Sequence, residues 1–228
     1  MFGGLNSALP VVSSPTPPPA LAISNREWNS WTLRRPAAGR SWDPNVIIGL
    51  DHPPTPTPQP PAPGQEARAY LDIETSFDGD ITIIGIYGAD RGMIQLVGGD
   101  VTDVGLVRAL GGVDTVCTYN GDRFDLPVIH RRLGVDLRQV CRSHDLMRDC
   151  HRAGLKGGLK RVEAQMGIVR QSEGVDGRAA MRLWAGYLND GDEDALRTLL
   201  LYNREDVVNL ALLDAFLEPY RDAHTRRL

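Results

Sequence analysis

Cysteine is scarce in this chain. Three thiols, Cys117, Cys141 and Cys150, are odd in number and too few to staple a fold. This excludes a disulfide framework and favours reduced thiols in a cytoplasmic setting. No stretch approaches the ~18 consecutive apolar residues that a membrane span needs, so no membrane partner is expected. Lysine occurs only twice, and the formal net charge is -4. An acidic balance argues against a protein that coats nucleic acid by bulk charge, but leaves room for a local basic groove. The opening residues MFGGLNSALPVVSSP carry no positive leader and no sustained apolar core, so a secretory signal is not expected. What is present, 42% apolar and 24% charged residues in 228, suits one globular domain plus an appendage.

Proline marks the appendage. Of 16 prolines, 14 precede Gln65, in runs such as Pro17-Pro18-Pro19 and the PPTPTPQPPAP stretch from Pro53 to Pro63. Such runs cannot donate the backbone hydrogen bonds of helices and sheets. Residues 1–65 therefore read as a mostly disordered leader. Within it, at about 26–50, lie three of the four tryptophans and four arginines, Trp28, Trp31, Trp42, Arg26, Arg34, Arg35 and Arg40. Tryptophan is costly to leave in water, so this segment is expected to dock, either on the chain's own body or on a protein partner.

From residue 66 the periodicity becomes readable. Residues 67–73, 81–88 and 92–97 are short β-rich runs separated by turn signals, which predicts a three-stranded antiparallel meander. A helix at about 101–110, a buried strand from Thr115 to Tyr119 and a helix from about Arg123 to Leu133 follow. Further helices are expected at about 144–153, 159–167 and 178–189, then a long one from about 193 to 217 ended by Pro219. The domain so defined spans 66–220, with 221–228 as a tail. Strands first, then strands alternating with helices, give an α/β fold with a mixed sheet flanked by helices.

The chemistry lies in where the carboxylates fall. Asp72 and Glu74 end the first run as LDIET, and strand alternation puts both on one face with Ile73 on the other. Two acids on an apolar strand are costly to bury unless a cation neutralises them; the plainer reading is a strand end reaching solvent. A second acidic site is YNGDRFDLPVI, in which Asn120-Gly121 makes a turn and Phe124 and Leu126 anchor it to the core. Asp125 follows at the start of a helix, where a capping role is the common alternative. The third, LLLYNREDVVNLALL, sets Tyr202 and Asp206 four apart on one helix face beside a stripe of Leu199, Leu200, Val207 and Leu210.

This ordered set, D-x-E on a first strand, N-G-x-x-F-D after a later one and Y-x-x-x-D on a final helix, resembles the DEDD superfamily of RNase H-like 3′-to-5′ exonucleases, tyrosine subclass. Within it the body is most similar to the YprB-type RNase H-like proteins, through SHDLMR, LKRVEAQMGIVR and LWAGYL, over about residues 66–217. The resemblance implies an RNase H-like fold in which Asp72, Glu74, Asp125 and Asp206 hold two divalent cations, Mg²⁺ or Mn²⁺. Oxygen-only donors suit such hard ions. It further implies two-metal hydrolysis of phosphodiester bonds that releases 5′-monophosphates from a free 3′ end. Tyr202 would align the attacking water, and Thr75, Asn120 and Phe124 would touch the strand. Four converging carboxylates without metal should be poorly ordered or partly protonated.

A nuclease must also hold a polyanion beside its own acids. Arg131, Arg132, Arg138, Arg142, Arg148, Arg152, Lys156, Lys160 and Arg161 crowd one stretch against Asp136, Asp145 and Asp149. The GLKGGLKR loop, with Lys156, Lys160 and Arg161, could follow a phosphate backbone, or the stretch could be a solvated face. His144-Asp145 and Glu163 are expected to serve as capping and helix-surface residues. Cys141, His144, Cys150 and His151 fit no common structural zinc spacing. A catalytically weak module that binds nucleic acid or a partner, with the tryptophan-bearing leader as its docking element, is the second reading, and an endonuclease of the same fold a third.

Overall fold

The computed structural model describes residues 66–225; the proline-rich leader, its tryptophan-bearing docking segment and residues 226–228 lie outside the described residues. The β-branched and aliphatic runs form three consecutive strands: β1 (Arg68–Thr75), β2 (Ile81–Gly88) and β3 (Gly92–Val97). Helix α1 (Asp103–Ala109), capped by Thr102 through Gly105 N, leads to β4 (Thr115–Thr118). Then come α2 (Asp125–Leu133), α3 (Leu137–Val140), β5 (Arg142–Asp145) and α4 (Leu146–Arg152). The chain finishes with α5 (Leu159–Gln165), α6 (Gly177–Asp190) and α7 (Glu193–Thr225).

The five strands form one sheet in the order β3-β2-β1-β4-β5. β2 pairs antiparallel with β1 and with β3, whereas β4 pairs parallel with β1 and with β5. This is the expected mixed sheet, an antiparallel meander extended by parallel strands and flanked by helices, in the RNase H-like arrangement. No helix of the described residues is long and apolar enough to cross a membrane.

Side-chain alternation divides the sheet between two layers. Ala69, Leu71 and Ile73 of β1 join Ile84, Ile86 and Val116 beneath Leu106 and Ala109 of α1 and Leu126 and Ile129 of α2. On the opposite face the helices make two smaller apolar clusters. Cys117 packs with Leu146, Cys150, Val162, Leu210, Leu213 and Leu217, while Ile83 packs with Ala180, Leu199 and Tyr202. Tyr70 of β1 rests on the first of these and Glu74 lies in register with Ile83 of the second, so the acidic positions run along β1 from one to the other.

Three elements depart from expectation, the first being α3, a four-residue helix at Leu137–Val140 where none was expected. The segment expected to open a helix at 144 is first an edge strand, β5, paired to β4. Its residues Arg-Ser-His-Asp carry no apolar alternation, so only the neighbouring strand's free hydrogen bonds reveal it. Helix α7 also runs through Pro219 to Thr225 rather than stopping there. A proline inside a helix costs about 3 kcal/mol, which tertiary packing can exceed. Leu213 and Leu217 are fully buried, and Arg221 is tied to Asp214 at 2.7 Å and Asp149 at 3.1 Å, so both sides of the proline are anchored.

The larger layer sets stability independently of the acidic face. Replacing Ile129, 0% exposed, by Ala removes a buried side chain without a substitute and should cost about 2–5 kcal/mol in denaturant unfolding. A loss below about 1 kcal/mol would show that α2 does not pack as described.

Candidate active site

β1 delivers two acids to one place because alternate residues share a face, and a β-bulge between Glu74 and Thr75 ends the regular pairing there. α7 crosses that face and delivers Asp206. One carboxylate oxygen from each of Asp72, Glu74 and Asp206 lies within 4.8 Å of the others. Glu74 is 6% and Asp206 5% exposed, so the like charges meet largely out of water. They floor a cleft of about 190 Å³ that Thr75, Phe124, Met181 and Tyr202 also line.

Each acid has its own support. Asn203 donates through Nδ2 to Asp72 Oδ2 at 3.2 Å, while its own Oδ1 accepts from Gln95 Nε2 at 3.0 Å. The amide lies flat against β2 at Gly85, where a Cβ would come within 2.3 Å of Asn203 Oδ1. Only glycine admits so close an approach. Asp125 lies outside the group of three. It does not cap α2, whose first position is preceded by Phe124 with no side-chain cap; instead its Oδ1 accepts from Ile73 N at 3.2 Å. Asp125 thus fastens α2 to the strand between the two acids.

Positive charge enters from the segment around α5. Lys160 Nζ donates to Tyr202 Oη at 2.9 Å, lies 4.1 Å from the centre of its ring, and also donates to Val175 O. Arg170 grips Glu163 with two N–H groups and donates to Asp206 Oδ1. Glu163 is therefore no helix-surface residue; it is 1% exposed and also accepts from Asn209 Nδ2 at 2.9 Å. Its charge is tolerated because Arg170 compensates it.

The electrostatics follow. Burial first, then repulsion from the neighbouring acids, pushes the carboxyls of Asp72 and Glu74 well above the ordinary range. Burial raises Asp125 to about 7 and Asp206 to about 6, the latter restrained by Arg170. Burial lowers the Lys160 ammonium and raises the Tyr202 phenol, which the acids raise further. These directions fit the partial protonation expected of metal-free carboxyls, and Arg170 and Lys160 bring compensating positive charge to the site. Among the described residues, Glu74 Oε1 is buried with no hydrogen-bond partner. An orphaned carboxylate oxygen beside two more hard donors fits a divalent cation of the Mg²⁺ or Mn²⁺ type.

Asp72, Glu74, Thr75, Phe124, Tyr202 and Asp206 line the cleft, with Lys160 behind Tyr202. Phe124 is 47% exposed and does not anchor to the core as expected; the turn is anchored by Leu126, and the ring faces the cleft. Asn120 supplies the turn, with φ +61 and its N–H on Asp145 Oδ1 at 2.8 Å, and is not among the lining residues. Asp145 caps α4 through Met147 N, the capping role expected of it. Lys156 and Arg161 are exposed and outside the lining. Of the basic stretch, Arg132, Arg138, Arg142, Arg148 and Arg152 pair with Asp80, Asp122, Glu66, Asp122 and Asp149. Arg170 closes the LKRVEAQMGIVR stretch and Asn203 lies within LLLYNREDVVNLALL, but nothing in those stretches marks either as a site residue; Met181 lies in no motif.

Two outcomes follow from this geometry. Carboxyls with raised folded-state pKa bind protons that the unfolded chain releases near pH 4, so metal-free stability falls as pH rises from about 4 to 7. The EDTA-treated protein should melt at a higher temperature near pH 5 than near pH 7.5, and Asp206→Asn should narrow the difference; a melting temperature that climbs over this window contradicts the account. Gly85→Ala should displace Asn203 and cost about 1–3 kcal/mol by thermal melting, through overpacking. An unchanged melting temperature would show that Asn203 is not held against β2.

Comparison with known proteins agrees with this fold. Residues 69–217 match the family described as the RNase_H superfamily. No individual curated protein matches the chain. Among solved structures it is similar to the family B DNA polymerase of the hyperthermophilic archaeon Pyrobaculum calidifontis, with TM-score 0.55 and 21% identity. That likeness covers 71% of this chain and 26% of the polymerase and, at this identity, extends to the fold. With the family matched across β1 to α7, the chain belongs to the RNase H superfamily.

Proposed function

We propose that the protein is a metal-dependent 3′-to-5′ exonuclease that hydrolyses phosphodiester bonds of nucleic acid and releases 5′-monophosphates. Superfamily membership supports a nuclease in general. One observation carries the catalytic reading: the oxygens of Asp72, Glu74 and Asp206 converge within 4.8 Å in a cleft, with Glu74 Oε1 buried and unpartnered among the described residues. The 3′-to-5′ direction rests on the resemblance of the three ordered motifs to the DEDD exonucleases.

Asp72, Glu74 and Asp206 would hold two Mg²⁺ or Mn²⁺ ions, with Asp125 beside them on the Ile73 N–H. Bound there, the ions supply Lewis-acid stabilisation of the phosphoryl oxygens and acidify the attacking water. Tyr202 orients that water. The Lys160 ammonium has only donors, so Tyr202 Oη accepts from it and must aim its own hydrogen elsewhere. The phenol, raised in pKa, stays neutral at physiological pH and acts as a donor that positions rather than as a base. Phe124, half exposed at the cleft wall, offers a face on which a terminal base can stack, and Thr75 a hydroxyl beside it. The neutral ring and the small cleft favour an unpaired strand end over a duplex.

A 5′-labelled single strand of DNA or RNA, incubated with Mn²⁺, should shorten one nucleotide at a time, while a circular strand should survive. Asp72→Ala or Asp206→Ala should abolish the ladder, and Tyr202→Phe should slow it up to about 100-fold by misplacing the water. No shortening, or shortening indifferent to Asp72→Ala, refutes the proposal. Cutting of circles replaces it with an endonuclease.

A further inference from the structure

Arg170 lies between α5 and α6, and its guanidinium reaches two acids at once. It donates to Glu163 through Nε and Nη2, each at 2.6 Å, and through Nη2 also to Asp206 Oδ1. The side chain is 9% exposed. Glu163 is held from the other side by Asn209, and the backbone after Arg170 is pinned by Glu205, which accepts from Gln171 N at 2.6 Å and Ser172 N at 3.1 Å. Held this way, the guanidinium cannot leave Asp206 without stranding a buried carboxylate.

A carboxylate has two oxygens, and Arg170 takes one of them. The guanidinium charge held against Oδ1 disfavours a cation there, so Asp206 offers a metal chiefly its Oδ2. Cations differ in what they need there. Ca²⁺ takes six to eight oxygens in flexible geometry and draws on carboxylates that grip through both oxygens. Mg²⁺ demands a near-octahedral shell at about 2.1 Å, and a two-oxygen grip subtends too narrow an angle for an octahedron. Resting on the reading of the cleft as a divalent-cation site, we infer that Arg170 is a specificity-determining residue. It selects small octahedral cations over Ca²⁺ by denying Asp206 a two-oxygen grip.

The test uses the full-length protein, stripped with EDTA and titrated calorimetrically with MgCl₂ and with CaCl₂. Arg170→Gln alone would strand Glu163, so the informative variant is Glu163→Gln with Arg170→Gln. It removes one charge of each sign and leaves two amides able to hydrogen-bond each other. General attraction for divalent ions then stays the same, and a change in the ratio of the two affinities reports the freed oxygen. The variant should bind Ca²⁺ relative to Mg²⁺ about tenfold better than the parent, the scale on which outer residues tune metal sites. An unchanged ratio in a variant with a cooperative circular-dichroism melt overturns the inference. Where the double variant does not fold, Glu163→Met with Arg170→Met removes the same pair of charges with apolar side chains; its ratio should rise too, and an unchanged ratio overturns the inference. No binding of either ion by the parent overturns the cation reading of the cleft itself, a result separate from an unaltered ratio.

Discussion

Like charges forced together out of water govern this structure. Asp72, Glu74 and Asp206 meet where β1 and α7 cross, and their mutual repulsion has to be offset by opposite charge, by protons or by cations. The fold supplies part of that offset itself. Arg170 and Lys160 come from the chain between β5 and α7, so the segment that carries them is held to α7 by the same attraction that relieves the acids. Removing one partner from such a network costs about 3–5 kcal/mol, comparable to a well-packed core residue. Polar groups here do the positioning that apolar contacts do beneath α1 and α2.

Support passes outward from the acids in layers. Asn203 holds Asp72, Gln95 holds Asn203, and Gly85 leaves room for the amide between them. Asp125 fixes the backbone of Ile73, which keeps Asp72 and Glu74 aimed to the same side. Glu205 and Asp206, consecutive on α7, bind the stretch around Ser172 and Arg170, so one turn of helix serves both the site and the loop beside it. α7 is 33 residues, about 50 Å at 1.5 Å per residue, and reaches from the cleft to the ion pairs of Arg221.

Much of this was legible in the sequence, and the reasons differ by element. β1 to β3 announced themselves through apolar alternation and turn residues, and Asp72, Glu74 and Asp206 through their regular spacing on strand and helix. Spacing alone does not say that three distant stretches meet; the ordered resemblance supplied that. Phe124 misled because a phenylalanine beside Leu126 reads as core, yet the turn at Asn120 faces it outward. Glu163 misled because a lone helical glutamate is ordinarily solvated, and its partner Arg170 lies in an irregular loop with no periodicity. Asn203 sits beside Tyr202, and its partner Gln95 lies more than a hundred residues away. Pro219 failed as a stop because long-range anchors outweigh a local preference.

β5 went unseen for a related reason, and its character matters beyond this fold. Short strands bristling with ionic groups make poor templates for a neighbouring molecule, since recruiting another chain there would mean stripping water from charges. Arg142 and Ser143 are exposed, and Arg142 is already bound to Glu66. Colloidal solubility is thereby built into the rim of the sheet, and the composition that defeats pattern recognition is the one that discourages edge-to-edge aggregation.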